Sequence, residues 1–159
     1  MDRHPDALDC AYARPEDVGV ADGDEVVLDA VALPTVTLQV SPPYRTPANA
    51  SPANTVLRFA KRGLVVRRNA TVEISVPEEA RGRLYLRWEG GPREEGGTED
   101  RVLVERVVVD RCDHKEAESG WIWFVGGYYV TKPGCYPIKV ASHGRSQVVH
   151  LSIGVPCGR

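Results

Sequence analysis

The sequence predicts a single all-β domain, an antiparallel sandwich linked by disulfides, and three observations lead there. Short segments of apolar–polar alternation recur along most of the chain, the period of strands with one buried face. Clusters of Pro, Gly and Asn separate them at intervals of roughly 8–15 residues, the spacing of a sandwich or barrel. No window carries a sustained helical stripe with caps. The size agrees, since 159 residues suit one core, and 42% apolar against 26% charged residues is the balance of a folded chain.

Residues 1–24 read as an acidic, irregular lead-in, with Asp2, Asp6, Asp9, Glu16, Asp17, Asp22 and Asp24 against Arg3 and Arg14. It is expected to be partly ordered if Cys10 is tethered. Residues 25–159 read as the sandwich. Val36, Leu38 and Val40 alternate with Thr37 and Gln39, and Val72, Ile74 and Val76 repeat the pattern. Leu84, Leu86 and Trp88 do the same against Tyr85 and Arg87, and the Val-rich run 102–109, broken by Glu105 and Arg106, also suits a strand. Tyr136, Ile138 and Val140 lead into the turn pair His143-Gly144, and Val149, Leu151, Ile153 and Val155 return, which predicts a hairpin. Residues 78–82 form one helical turn at most. Residues 41–54 and 89–100 are the long loops, too short to link two domains.

Four cysteines, Cys10, Cys112, Cys135 and Cys157, are an even number with long spacings and no C-x-x-C pair. That points to two disulfides in an oxidising compartment, and spacing leaves all three pairings open. Residues 1–10 are polar and acidic without an apolar h-region, so the expected extracytoplasmic chain carries no signal segment of its own. The longest apolar stretch, residues 121–130, is half the roughly 20 residues of a membrane helix, so no membrane span is expected. A net charge of −2 supplies no basic excess for nucleic acid. Arginines do concentrate in residues 58–87, where the acidic lead-in could lie, although ordinary solvated strand faces explain them as well.

Three stretches carry a resemblance. They are Lys61-Arg-Gly-Leu-Val-Val-Arg-Arg-Asn-Ala-Thr-Val-Glu-Ile-Ser-Val-Pro77, Val107-Val-Val-Asp-Arg-Cys112, and residues 121–137 with Gly126-Gly127 and Pro133-Gly-Cys-Tyr-Pro137. On these the chain resembles uncharacterised actinobacterial secreted or envelope-associated immunoglobulin-like β-sandwich proteins, over about half its length. The resemblance implies an immunoglobulin-like sandwich with Cys112 bonded to Cys135, and a late Cys157 reaching back to the N-terminal region and Cys10. It implies no activity. Cys157 also shares the parity of Val149, Leu151, Ile153 and Val155, which sets it at the edge of the core face.

Catalytic and metal signatures are weak. Cys112, His114 and Cys135, with His4, His143 and His150, offer thiolate and imidazole donors, but lack the paired spacing that seats two ligands around zinc. Asp22, Asp24 and Glu25 lack the ligand ladder of a calcium loop. Ser142 and Ser146 flank a hairpin turn and sit in no nucleophile elbow, and Gly126-Gly127 precedes no phosphate-binding helix. Glu78-Glu79 and Glu94-Glu95 are sequence neighbours expected to be solvated. No cofactor, metal or catalytic residue is therefore expected, and the chain reads as a non-enzyme.

The aromatic block is the candidate binding surface: Trp121, Trp123, Tyr128 and Tyr129. In a strand, both indoles point to one face and Ile122 and Phe124 to the other. Exposed indoles could stack on sugars or anchor a partner. Burial on both faces, by an opposing sheet and by the 41–54 loop, is the more economical expectation, with Gly126-Gly127 admitting another backbone. The function expected is a binding or structural module outside the cytoplasm, meeting a protein or a cell-envelope component. A carbohydrate-binding domain using Trp121 and Trp123 is the alternative.

Overall fold

The computed structural model describes residues 6–16, 19–92 and 102–158; His4, Asp17 and Glu94-Glu95 fall outside them. Alternation becomes burial as expected: in β6 (Leu64–Arg67) and β7 (Thr71–Ser75) every second residue is buried, and in β12 (Gly134–Ser142) Tyr136, Ile138 and Val140 are buried while Lys139 is exposed, with Pro137 covered as well. The other strands are β1 (Arg14–Pro15), β2 (Asp24–Val27), β3 (Val31–Pro34), β4 (Tyr44–Arg45), β5 (Val56–Lys61), β8 (Leu84–Trp88), β9 (Arg106–Asp110), β10 (Trp121–Phe124), β11 (Gly126–Val130) and β13 (Arg145–Ile153). Residues 78–80 make one 3-10 turn, as predicted.

The fold is all-β and sandwich-like, built from three sheets ordered β1-β10-β6-β3-β2, β4-β5-β11-β8 and β13-β12-β7-β9, with every strand pair antiparallel. The first two share a ribbon. β5 and β6 run against β11 and β10, so one antiparallel pair serves one sheet, bends at Arg62-Gly63 and Val125-Gly126, and serves the next. One apolar cluster spans all three sheets, with Val66, Ile122, Phe124, Trp88, Ile74 and Ile138 each fully buried. A smaller cluster of Leu57, Leu103 and Tyr129, with Phe59 and Tyr85, packs separately.

The bend explains the adjacent glycines. A Cβ on Gly126 would lie 2.0 Å from the Arg87 carbonyl oxygen, and one on Gly127 would lie 2.1 Å from that of Ala60. Gly126 also has φ +154°, a region side chains avoid. The Trp88 indole closes the corner by donating to the Arg62 carbonyl at 3.0 Å, and the Glu89 amide donates to the Val125 carbonyl at 2.7 Å.

The hairpin of β12 and β13 turns at His143-Gly144, as expected, both with positive φ, the geometry of a two-residue type I′ turn. Other expectations are corrected. Val36, Leu38 and Val40 form no strand: only Leu38 is buried, through a parallel bridge to Ile153, and Val36 is 54% exposed. Pro34, Pro42 and Pro43 remove ladder donors at both ends of that segment. The Val-rich run divides at Glu105, where Val102 and Val104 bridge Ser51 and Leu86 before β9 begins. The 41–54 loop contains β4, which pairs with β5.

The disulfide pairing implied by the resemblance is also corrected: Cys10 bonds Cys112 and Cys135 bonds Cys157. Two local causes act. Ala7 forms a parallel bridge with Val108, and the Leu8 amide donates to the Val108 carbonyl at 2.8 Å, so the lead-in runs beside β9 and brings Cys10 to Cys112. At the other end Gly154, with φ +81°, turns the chain out of β13, which breaks the parity argument for Cys157. The Cys157 amide then donates to Ser152 Oγ at 2.8 Å, and Ser152 is the register partner of Cys135.

The corner yields a contrast. Gly126→Ala should destabilise by about 3 kcal/mol or more, because backbone and not a flexible side chain occupies the new methyl's space. Gly144→Ala, with nothing within 4 Å of its Cβ, should cost only the left-handed backbone penalty of about 1 kcal/mol. Urea unfolding of both variants checks the ordering, and equal losses would contradict it.

Candidate functional site at Trp123

β10 divides the aromatic block by parity. Ile122 and Phe124 enter the core, and Trp121 and Trp123 face outward. Outward does not mean bare. Trp121 is 5% exposed, with the Arg67 guanidinium 4.3 Å from its ring centroid, close enough for cation–π attraction. Trp123 is half-buried: its Nε1 donates to the Pro15 carbonyl at 3.2 Å, and Arg14 approaches its ring at 5.5 Å. The cover is therefore β1 and Arg67, and the 41–54 loop supplies neither of these contacts. Two-residue β1 pairs Arg14 with Trp123 and Pro15 with Ile122, which makes part of the lead-in an edge of the sheet.

Beside Trp123 opens a cleft of about 220 Å³ lined by Glu16, Ala21, Asp24, Arg62, Gly63 and Trp123 itself. Gly63 lets the indole lie close, since a Cβ there would meet Trp123 Cε3 at 2.9 Å. Arg62 and Asp24 form an ion pair at the wall, with the Asp24 side chain only 4% exposed. Thus one acid of the lead-in meets one arginine of the 58–87 segment. The site presents an indole, a fixed cation–carboxylate pair and a second carboxylate on Glu16, which suits polar, partly apolar ligands such as sugars or peptide segments.

Tyr128 and Tyr129 are not part of this surface. Tyr128 is buried, edge-on to Trp88 with ring centroids 5.3 Å apart. Tyr129 stacks at a tilt on Phe59, 4.7 Å away, in the smaller cluster. Burial pushes the Tyr128 phenol well above its ordinary value.

A larger groove, about 630 Å³, lies under the β12–β13 hairpin and includes Glu73, Arg106, Ser142, His143 and Arg145. Its inner charges offset one another, since Arg106 pairs with both Glu73 and Asp6. Ser142 Oγ donates to the Thr71 carbonyl at 2.7 Å and so serves the fold. The groove is more open and lacks an aromatic face, so the smaller Trp123 cleft is the better site.

Three of the donors considered for metal, Cys112, Cys135 and His114, are engaged elsewhere. Cys112 and Cys135 are oxidised, each to a different partner. His114 Nδ1 accepts from the Glu116 amide at 3.2 Å, and Asp113, hydrogen-bonded by Arg68, is held below its ordinary carboxyl value. Among the described residues no group of three or more His, Cys, Asp and Glu is placed to hold a metal ion, and no helix is long and apolar enough to cross a membrane. Glu78 and Glu79 are exposed on their 3-10 turn. Sequence reasoning missed Arg62, Asp24 and Gly63 as companions of Trp123. The only signal was the opposition of the acidic lead-in to the arginine-rich segment.

No protein-family model matches the chain, and no curated protein or solved structure matches it.

Two measurements probe this geometry. Trp121→Ala should cost about 3 kcal/mol, at the low end for a buried indole. Trp123→Ala should cost about 1–2 kcal/mol, reflecting one hydrogen bond and partial burial. Chemical denaturation separates them, and a larger loss at Trp123 would reverse the assignment. For Tyr128, the raised folded value means its contribution is fully present below the unfolded value of about 10 and fades as pH rises above it. Urea midpoints measured towards high pH should therefore fall less steeply in Tyr128→Phe, and superimposable alkaline limbs would refute the buried phenol's role.

Proposed function

We propose that the chain is a non-enzymatic extracytoplasmic binding module of the secreted or envelope-associated, immunoglobulin-like, actinobacterial kind, engaging a protein or cell-envelope component. The observation that carries this reading is the oxidised state of all four cysteines in two disulfides. Such pairs persist in oxidising compartments and are rare where thiols are kept reduced. The antiparallel sheets support the immunoglobulin-like element, while one disulfide joins the lead-in to Cys112 just beyond β9 and the other joins β12 to Cys157 beyond β13. Binding in place of chemistry is supported by the ion pairing of Arg62 and Arg106 and by the commitment of Ser142 to the fold.

A carbohydrate ligand is the second reading, favoured by the half-buried indole beside Arg62, Asp24 and Glu16. It rests on Trp123 alone, because Arg67 covers Trp121.

Two tests apply. Alkylation without reductant of the protein recovered from its natural host should label no cysteine, and intact mass would show four additions if the extracytoplasmic reading were wrong. Titration with soluble envelope oligosaccharides should change indole fluorescence in the intact chain and in folded Trp121→Phe, and fail in folded Trp123→Ala. Equal responses in all three would overturn the sugar reading at this cleft.

A further inference from the structure

Among the described residues, β13 is a long edge of its sheet, covered by no strand. Its nine residues, Arg-Ser-Gln-Val-Val-His-Leu-Ser-Ile, contain no Pro, Gly or Lys and a single fixed charge, Arg145. Edges of this composition lack the usual devices against pairing. The other edges differ. Residues 6–8 lie along β9 through the Ala7–Val108 bridge, Val104 bridges β8, β1 and β4 are two residues each, and β2 carries Asp24 and Glu25.

The free part of β13 has a defined length and phase. In a two-residue hairpin the flanking pair, Ser142 and Arg145, exchanges hydrogen bonds. Residues 145, 147, 149 and 151 therefore turn their backbone groups towards β12, and 146, 148, 150 and 152 turn theirs outward. The Leu38 amide confirms the phase by donating to the Ser152 carbonyl at 2.8 Å, and Leu38 closes the edge there. Among the described residues, no partner strand meets the outward N–H and C=O groups of Ser146, Val148 and His150, centred on Val148, which is 51% exposed.

We propose that this stretch docks a second copy of the same chain, antiparallel, about a two-fold axis through Val148. In that register Ser146 meets His150 of the second copy and Val148 meets its own counterpart. The three outward residues of each copy then exchange hydrogen bonds along the whole free stretch, and a register shifted by one residue brings the wrong backbone groups together. The two valines pack on one face, and Arg145 lies opposite Leu151 of the copy, so no like charges are set directly across the pair. A two-fold contact closes on itself, which limits assembly to a dimer with one continuous eight-stranded sheet. An edge contact buries less than a standard interface, so the dimer is weak and concentration-dependent.

Sedimentation and amide exchange of the full chain between about 10 µM and about 1 mM test this. The expected result is a monomer–dimer equilibrium in which the Ser146, Val148 and His150 amides gain protection with concentration. Val148→Pro removes an outward N–H that bonds no described residue of the monomer, and Val148→Lys sets two charges across the axis. Both should stay monomeric, with the lysine variant retaining the wild-type melting behaviour as proof of folding. A wild type monomeric throughout, or a dimer that persists in folded Val148→Lys with those amides unchanged, would overturn the proposal.

Discussion

The close passage of two backbones at Gly126-Gly127 is the constraint on which the rest of the molecule depends. A single antiparallel ribbon, β5–β6 against β11–β10, must bend to serve two sheets, and the bend brings the β8 backbone within van der Waals distance of a position that tolerates no Cβ. Hydrogen bonds then fix the corner from three directions: Arg62 to Gly126, Glu89 to Val125, and the Trp88 indole to Arg62. The same corner places Arg62 and Gly63 beside Trp123, so the geometry of the cleft follows from the geometry of the bend.

The lead-in completes what the ribbon begins. Its residues 6–8 extend the sheet beyond β9, its cysteine is tied to Cys112, and its Arg14-Pro15 pair covers Trp123 at the opposite sheet's edge. This acidic segment is held by backbone pairing, by the buried Ala7, Leu8 and Ala13, and by a covalent tie. In the chain-entropy account a tie across 102 residues restricts the unfolded chain more than the 22-residue link between Cys135 and Cys157.

Much of the strand pattern was legible because burial of one face imposes a period of two, as in Val72-Ile74 and in the β12–β13 hairpin with its His143-Gly144 turn. The parity of Trp121 and Trp123 against Ile122 and Phe124 was legible for the same reason. Parity failed where the backbone left the pleat: Gly154 turned Cys157 away from its expected face, and prolines kept Val36 and Val40 out of a strand. Pairing between distant segments has no local signature. Hence neither the disulfide partners nor the cover of Trp123 by β1 could be read from spacing, and the Arg62–Asp24 pair showed only as a faint opposition of charge.

If the corner couples the sheets, it opens only when the whole molecule unfolds. Native-state hydrogen exchange of the Arg62 and Glu89 amides is the most direct measurement. Their opening free energies should equal that of global unfolding and match the Ile138 amide in the third sheet. Exchange from these two amides by a local opening of clearly lower free energy, while Ile138 stays protected, would contradict the account.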